Sequence, residues 1–221
     1  MKLFADTANI QQIEKLALVG LIDGVTTNPS LFSKEPKGDF ISMCKRITQI
    51  CSDSKIPLSV EVFSEDPDDV YADAIRLFKQ LDYQGLSIKI PIDIKYLPVI
   101  KKLANEGISI NATCGYTASQ LTMAAKCGAR YVSLFYRRAL DSGEDVESHL
   151  QLTRKFIETK GLNCEIIAGS IRKPDDILCA WKFGAHIATA SPSIIDLSLQ
   201  HEGSRASIDA FMKDFSSWVS T

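Results

Sequence analysis

Short apolar runs alternate with longer amphipathic ones along the whole chain. The short runs are KLFAD, GVTT, LSVEV, LSIKIPI, ISINAT, YVSLF, CEIIAGS and AHIATA, and each predicts a strand. Helical patterns lie between them. In DDVYADAIRLFKQL, Val70, Ala74, Leu77, Phe78 and Leu81 recur at helical spacing. EDVESHLQLTRKFIETKG is rich in helix formers, and Gly161 closes it as a C-cap. Strand then helix, repeated about eight times, predicts a parallel sheet with helices outside it.

Two architectures fit that pattern. An open doubly wound sheet usually announces its ligand with a glycine-rich turn, and no G-x-G-x-x-G or Walker-type loop is present. A closed eight-stranded barrel takes roughly 200 to 250 residues, and the chain has 221. No low-complexity stretch or linker rich in Pro, Gly or Ser divides it. The expected fold is therefore α/β: a single-domain (β/α)8 TIM barrel over residues 1–221 with an additional C-terminal helix. In that helix, SRASIDAFMKDFSSWVS (204–220), Ile208, Phe211, Phe215 and Val219 share one face. The face either covers one end of the barrel or makes a subunit contact.

A parallel barrel carries its active site at the C-terminal ends of the strands. Polar residues fall there on almost every strand. Asp6 ends the first, and TTNPS with Asn28 follows the second. Glu61 lies in the third and Lys89 in the fourth. Asn111 and Thr113 end the fifth. Ser133 lies in the sixth, with Arg138 just beyond, and Ser170 and Arg172 follow the seventh. Taken singly, each has an ordinary structural explanation. Asn28 before Pro29 is a good helix N-cap, and Asp6 can cap the first helix. Arginines are most often solvated or ion-paired at the surface.

Lys89 is harder to dismiss. It sits in SIKIPI, between isoleucines, in a run that reads as a strand covered on both faces. Such a lysine either snorkels outward or points inward as a Schiff-base nucleophile. Desolvation disfavours an ammonium, so an inward lysine can present a free amine. Together the set holds an inward lysine, two acids, hydroxyls, amides and two arginines suited to a phosphate.

Composition narrows the classes further. Hydrophobic residues make up 45% of the chain and charged residues 24%, with a net charge of −2. That balance offers no electrostatic attraction for nucleic acid or an anionic membrane. The six cysteines are scattered without a C-x-x-C, which reads as reduced thiols. The start, MKLFADTANI, reaches Asp6 too soon for a secretory apolar region, and no stretch is long enough to span a bilayer. A cytoplasmic location is expected. The three histidines lack metal spacing, no H-E-x-x-H or G-x-S-x-G is present, and no metal site is expected. Among the cysteines, Cys114 is an alternative nucleophile, against which stands the usual inertness of a buried thiol.

FADTANI, GVTTNPSL, IKIPI, INAT, GSIRKP and GAHIATA, in this order through nearly the whole chain, resemble the transaldolases. More narrowly, they resemble the small single-domain branch that includes fructose-6-phosphate aldolase. The resemblance implies a (β/α)8 barrel with the Schiff-base lysine on the fourth strand, no cofactor, and a role in the pentose phosphate pathway. It implies that Lys89 forms an imine with the C2 ketone of a ketose phosphate. It implies that Asp6 takes the C4 hydroxyl proton and that Glu61 and Thr113 hold the water that moves protons. Asn28, Asn111 and Ser133 would bind the hydroxyls of the three-carbon unit, and Arg138, Ser170 and Arg172 the phosphate. Small members resemble pentamers and decamers joined by the C-terminal helix, so a homo-oligomer is expected.

Within that resemblance, Glu61 and Phe135 match the transaldolase pair, whereas the aldolase branch carries Gln and Tyr at these positions. Phe135 lacks a hydroxyl with which to polarise water, which favours transfer of dihydroxyacetone to an aldose acceptor over its release. A fructose-6-phosphate aldolase and a non-catalytic sugar-phosphate-binding barrel are the alternatives. The sequence departs from the family pattern at Leu134 and Arg137, where Pro and Gly are usual, at Cys114-Gly115-Tyr116, and near His201, where a His-Pro is missing. These departures bear on the acceptor path and on assembly.

Overall fold

In the computed structural model, which describes residues 1–219, eight strands close into one parallel barrel in sequence order. The strands are β1 (Lys2–Asp6), β2 (Gly24–Thr26), β3 (Leu58–Glu61), β4 (Leu86–Pro91), β5 (Ser109–Gly115), β6 (Tyr131–Phe135), β7 (Glu165–Gly169) and β8 (Ile187–Ala190). The connecting helices are α1 (Ile10–Leu18), α2 (Pro29–Phe32), α3 (Phe40–Asp53), α4 (Pro67–Leu81), α5 (Leu97–Asn105), α6 (Ala118–Lys126), α7 (Tyr136–Asp141), α8 (Val146–Lys160), α9 (Pro174–Lys182) and α10 (Pro192–Leu197). A last helix, α11 (Glu202–Val219), follows them. The expected (β/α)8 barrel with a C-terminal helix is the observed architecture.

Side chains alternate between the two faces of a strand, and the barrel uses the two faces differently. Ile88 and Ile90 of β4, with Val60, Ile110, Val132 and Ala168 on other strands, are fully or almost fully buried in the main core with the helices. The intervening residues point inward, and many are polar: Ser59, Glu61, Ser87, Lys89, Asn111, Thr113 and Ser133. Lys89 is therefore flanked by isoleucines because its neighbours face the helices while it faces the barrel axis. Below the polar layer, Phe4, Tyr131, Ile167 and Ile187 form a separate apolar cluster that plugs the barrel. Phe4 needs room there. A Cβ on Gly24 would lie 2.5 Å from its ring, so the second strand has to begin with glycine.

Strand β5 is irregular. Its register against β6 shifts between Ala112 and Gly115, and Cys114 adopts φ +63°. A Cβ at Gly115 would lie 2.9 Å from the Ser133 carbonyl oxygen and 2.6 Å from Leu121. The bulge thus presses Gly115 against β6 and α6 and turns Cys114 out of the regular alternation. This is what the Cys114-Gly115-Tyr116 departure builds. Leu134 is fully buried in the core between strands and helices.

Helix α11 does not cover a barrel end. None of its described residues is buried, and Ile208, Phe211 and Phe215 are 53%, 71% and 60% exposed. Its apolar face therefore packs on no other part of the barrel among the described residues. Ser220, the last residue of the expected helix, and Thr221 lie outside the described residues. No helix among the described residues is long and apolar enough to cross a membrane.

Candidate active site

The polar layer opens into a cavity of about 320 Å³ at the C-terminal ends of the strands. Asp6, Asn28, Glu61, Lys89, Asn111, Thr113, Ser133, Phe135, Arg138 and Ser170 all line it. Register explains much of this convergence. Glu61 pairs across the sheet with Lys89, and Lys89 with Asn111, so three polar side chains stand side by side on neighbouring strands.

Lys89 is 5% exposed. Its Nζ donates to the Thr27 carbonyl at 2.7 Å and lies 3.2 Å from Glu61 Oε2. A desolvated ammonium needs such partners. Beside it, Asn111 Nδ2 donates to Ser59 Oγ at 3.1 Å, and Ser133 Oγ donates to Asn111 Oδ1 at 2.7 Å. Those bonds fix the Asn111 amide in one orientation. The Thr113 hydroxyl is buried and makes no hydrogen bond among the described residues. An unpartnered hydroxyl in a polar cavity is a functional signal, since such groups are normally satisfied.

Asp6 does not cap α1; Asn9 does, accepting from the Gln12 amide. Asp6 instead accepts from the Thr26 hydroxyl at 2.8 Å, and Thr26 is 2.6 Å from the Thr189 hydroxyl. Burial pushes the Asp6 carboxyl above its ordinary value, against the opposing pull of Lys89, the Thr26 hydroxyl, Lys34 and Arg138. A carboxyl moved toward neutrality is suited to exchanging protons. Asn28 combines two roles: it caps α2 by accepting from the Leu31 amide at 3.1 Å, and it lines the cavity.

The cavity carries positive charge at its rim. The Arg138 guanidinium lies over the Phe135 ring at 4.7 Å and forms no ion pair among the described residues. Arg172 differs. It does not line the cavity; its Nη1 bonds Asp141 Oδ2 at 2.7 Å. Cys114 lines the cavity, but burial first and Glu61 second push its thiol upward, which leaves it a poor nucleophile. A second cavity, of about 510 Å³, opens near the N-terminal ends of β4 to β6. Its arginine, Arg130, is committed to Glu165 at 2.7 Å. Among the described residues no group of three His, Cys, Asp or Glu side chains could hold a metal ion.

The family model for transaldolase/fructose-6-phosphate aldolase matches residues 3–219. This chain belongs to the transaldolase/fructose-6-phosphate aldolase family. It is 39% identical over 218 residues to a probable transaldolase of Thermodesulfovibrio yellowstonii, covering 97% of this chain and 98% of the relative. A probable transaldolase of Nitrosopumilus maritimus is 37% identical over 216 residues, covering 97% and 95%. One from Symbiobacterium thermophilum is 36% identical over 215 residues, covering 97% of each chain.

Within this transaldolase/aldolase site, Thr26, from the TTNPS stretch, lines the cavity as well, and so do Lys34 and Thr189, which escaped the sequence reading. The parallel register sets Thr26 beside Asp6, facing the same interior. Lys34 returns to the rim because α2 is only four residues long, and it forms no ion pair among the described residues.

Proposed function

We propose that this protein is a transaldolase that moves a dihydroxyacetone unit from fructose 6-phosphate or sedoheptulose 7-phosphate to an aldose phosphate. The observation that carries the proposal is the Lys89 amine, sheltered inside the barrel beside Glu61 and facing a cavity that also holds Asp6 and Arg138. Lys89 passes a proton to the neighbouring Glu61 carboxylate, and the free amine adds to the C2 carbonyl and, with loss of water, forms the imine. Glu61 and Thr113 hold that water. Asp6 accepts the C4 hydroxyl proton as the C3–C4 bond breaks, and the electron pair moves into the protonated imine to leave a neutral enamine. Asn28, Asn111 and Ser133 hold the hydroxyls of the retained unit. Arg138 and Ser170 bind the phosphate, and Arg172 joins them if it exchanges Asp141 for the ligand. The enamine then attacks an aldose acceptor, and hydrolysis of the new imine completes the transfer. No cofactor is required by these steps.

Phe135 supports transfer over release. Its ring packs edge-on to Tyr116, with centroids 6.1 Å apart, and has no hydroxyl to activate water at the enamine. Phe135→Tyr is expected to raise acceptor-independent release of glyceraldehyde 3-phosphate several-fold. The assay compares fructose 6-phosphate alone with fructose 6-phosphate plus erythrose 4-phosphate. Appreciable release by the unaltered protein without an acceptor would favour the fructose-6-phosphate aldolase reading. Saturable binding with no turnover would favour a sugar-phosphate-binding barrel.

The proposed setting is the cytoplasm and the pentose phosphate pathway. The exposed apolar face of α11 supports a homo-oligomer, pentameric or decameric on the family resemblance. A chain ending at Gly203 is expected to sediment at lower mass than the full chain, and an unchanged mass would rule out the helix contact.

A further inference from the structure

Two side chains that do not line the cavity, Arg137 and Asp176, form an ion pair close in sequence to residues that do. Asp176 lies in the first turn of α9 and is 3% exposed. Its carboxylate accepts from four donors. Arg137 Nε donates to Oδ2 at 3.0 Å and Arg137 Nη2 to Oδ1 at 2.5 Å. The backbone amides of Arg172 and Lys173 donate to Oδ2 at 3.2 Å and 3.0 Å. Burial pushes this carboxyl up, but the Arg137 fork and the two amides outweigh it and hold it below the ordinary aspartate value.

Each end of this pair is adjacent to a residue that lines the cavity. Arg137 immediately precedes Arg138 in α7. The amides held by Asp176 belong to the turn that begins at Ser170. Ser170 adopts φ +58°, a left-handed conformation that is strained for a non-glycine residue and persists only where its surroundings enforce it. The chain thus enters a strained turn at Ser170 and is pinned two and three residues later by one buried carboxylate.

We propose that Arg137 is a positioning residue for the substrate phosphate: its bidentate ion pair with Asp176 ties the segment carrying Arg138 to the turn carrying Ser170. The inference rests on the assignment of Arg138 and Ser170 to phosphate binding. Arg137 itself does not line the cavity. A lysine supplies the charge but not the planar fork, so it fixes the carboxylate less well.

The test compares the unaltered protein with Arg137→Ala, Arg137→Lys and Asp176→Asn. KM and kcat are measured for fructose 6-phosphate and for unphosphorylated fructose with the same acceptor. Arg137→Ala is expected to raise KM for the phosphorylated donor about tenfold with kcat within about twofold, and to leave KM for fructose unchanged. Arg137→Lys is expected to fall between. Amide exchange at Arg172 and Lys173 should quicken in Arg137→Ala and in Asp176→Asn. An unchanged KM for fructose 6-phosphate, or equal rises for both donors, overturns the proposal. If the unaltered protein turns over neither donor, the transaldolase reading fails separately. Calorimetric titration with inorganic phosphate then decides: weaker binding by Arg137→Ala supports the clamp, and equal affinity overturns it.

Discussion

Replacing Lys89 with methionine is expected to lower transaldolase turnover by at least about 10⁴-fold, because the covalent route disappears with the amine. Borohydride added during turnover of fructose 6-phosphate should trap one sugar adduct on Lys89 in the unaltered protein and none in the variant. The variant also removes one half of a sheltered ion pair. Breaking a fully buried pair costs about 3–5 kcal/mol. Here the Glu61 side chain is 13% exposed and borders the cavity, so the loss should fall below that range. Lys89→Met combined with Glu61→Gln removes the uncompensated carboxylate. That double variant should melt close to the unaltered protein and still be inactive. Sugar transfer surviving in Lys89→Met, or an adduct on another residue, would end the Schiff-base reading.

Asp6→Asn should cost about 10²- to 10⁴-fold in turnover, the usual contribution of a positioned proton acceptor. Its effect on stability should run the other way. Asp6 is held above its ordinary value, so the folded chain binds this proton more tightly than the unfolded chain does. The stability it contributes is full below the unfolded value and is lost as pH rises through the folded one. At neutral pH the ionised carboxylate therefore opposes folding. Asparagine removes that charge and keeps an oxygen to accept the Thr26 hydroxyl. Its melting temperature should equal or exceed that of the unaltered protein at pH 7. The difference should shrink as pH falls toward about 4. A variant that is less stable at pH 7, or nearly fully active, would contradict the assignment.

The two variants together describe a site built against the preferences of a folded chain. A lysine, two acids and an unpartnered threonine hydroxyl occupy a barrel interior that apolar residues would fill more stably. The barrel tolerates them because its stability comes from elsewhere: the outward-facing Ile88, Ile90, Val60 and Ile110 against the helices, and the apolar plug below.

Much of this could be read from the chain. Strand alternation has a period of two, so placing Lys89 inward also placed Ser87 inward and sent Ile88 and Ile90 outward. KLFAD and YVSLF coincide with β1 and β6 to the residue. Gly161 ends α8 in the left-handed conformation expected of a C-cap. Each of these rests on preferences within a few consecutive residues.

What such preferences do not contain is the partner of a long side chain. Arg138 and Arg172 look alike in sequence, yet one faces the cavity and the other bonds Asp141, from a different element. Lys34 reaches the rim only because of where a four-residue helix leaves the chain. Arg137 and Asp176 lie 39 positions apart and meet only once the barrel has closed. The amphipathic face of α11 was legible, but its exposure was not, since that depends on whether the closed barrel offers it a surface. Local pattern determined the strands and the candidate lysine, and the closed barrel showed that the lysine faces inward. The closed tertiary structure decided which charges meet, because ion pairing and burial depend on distances through space that the order of residues does not state.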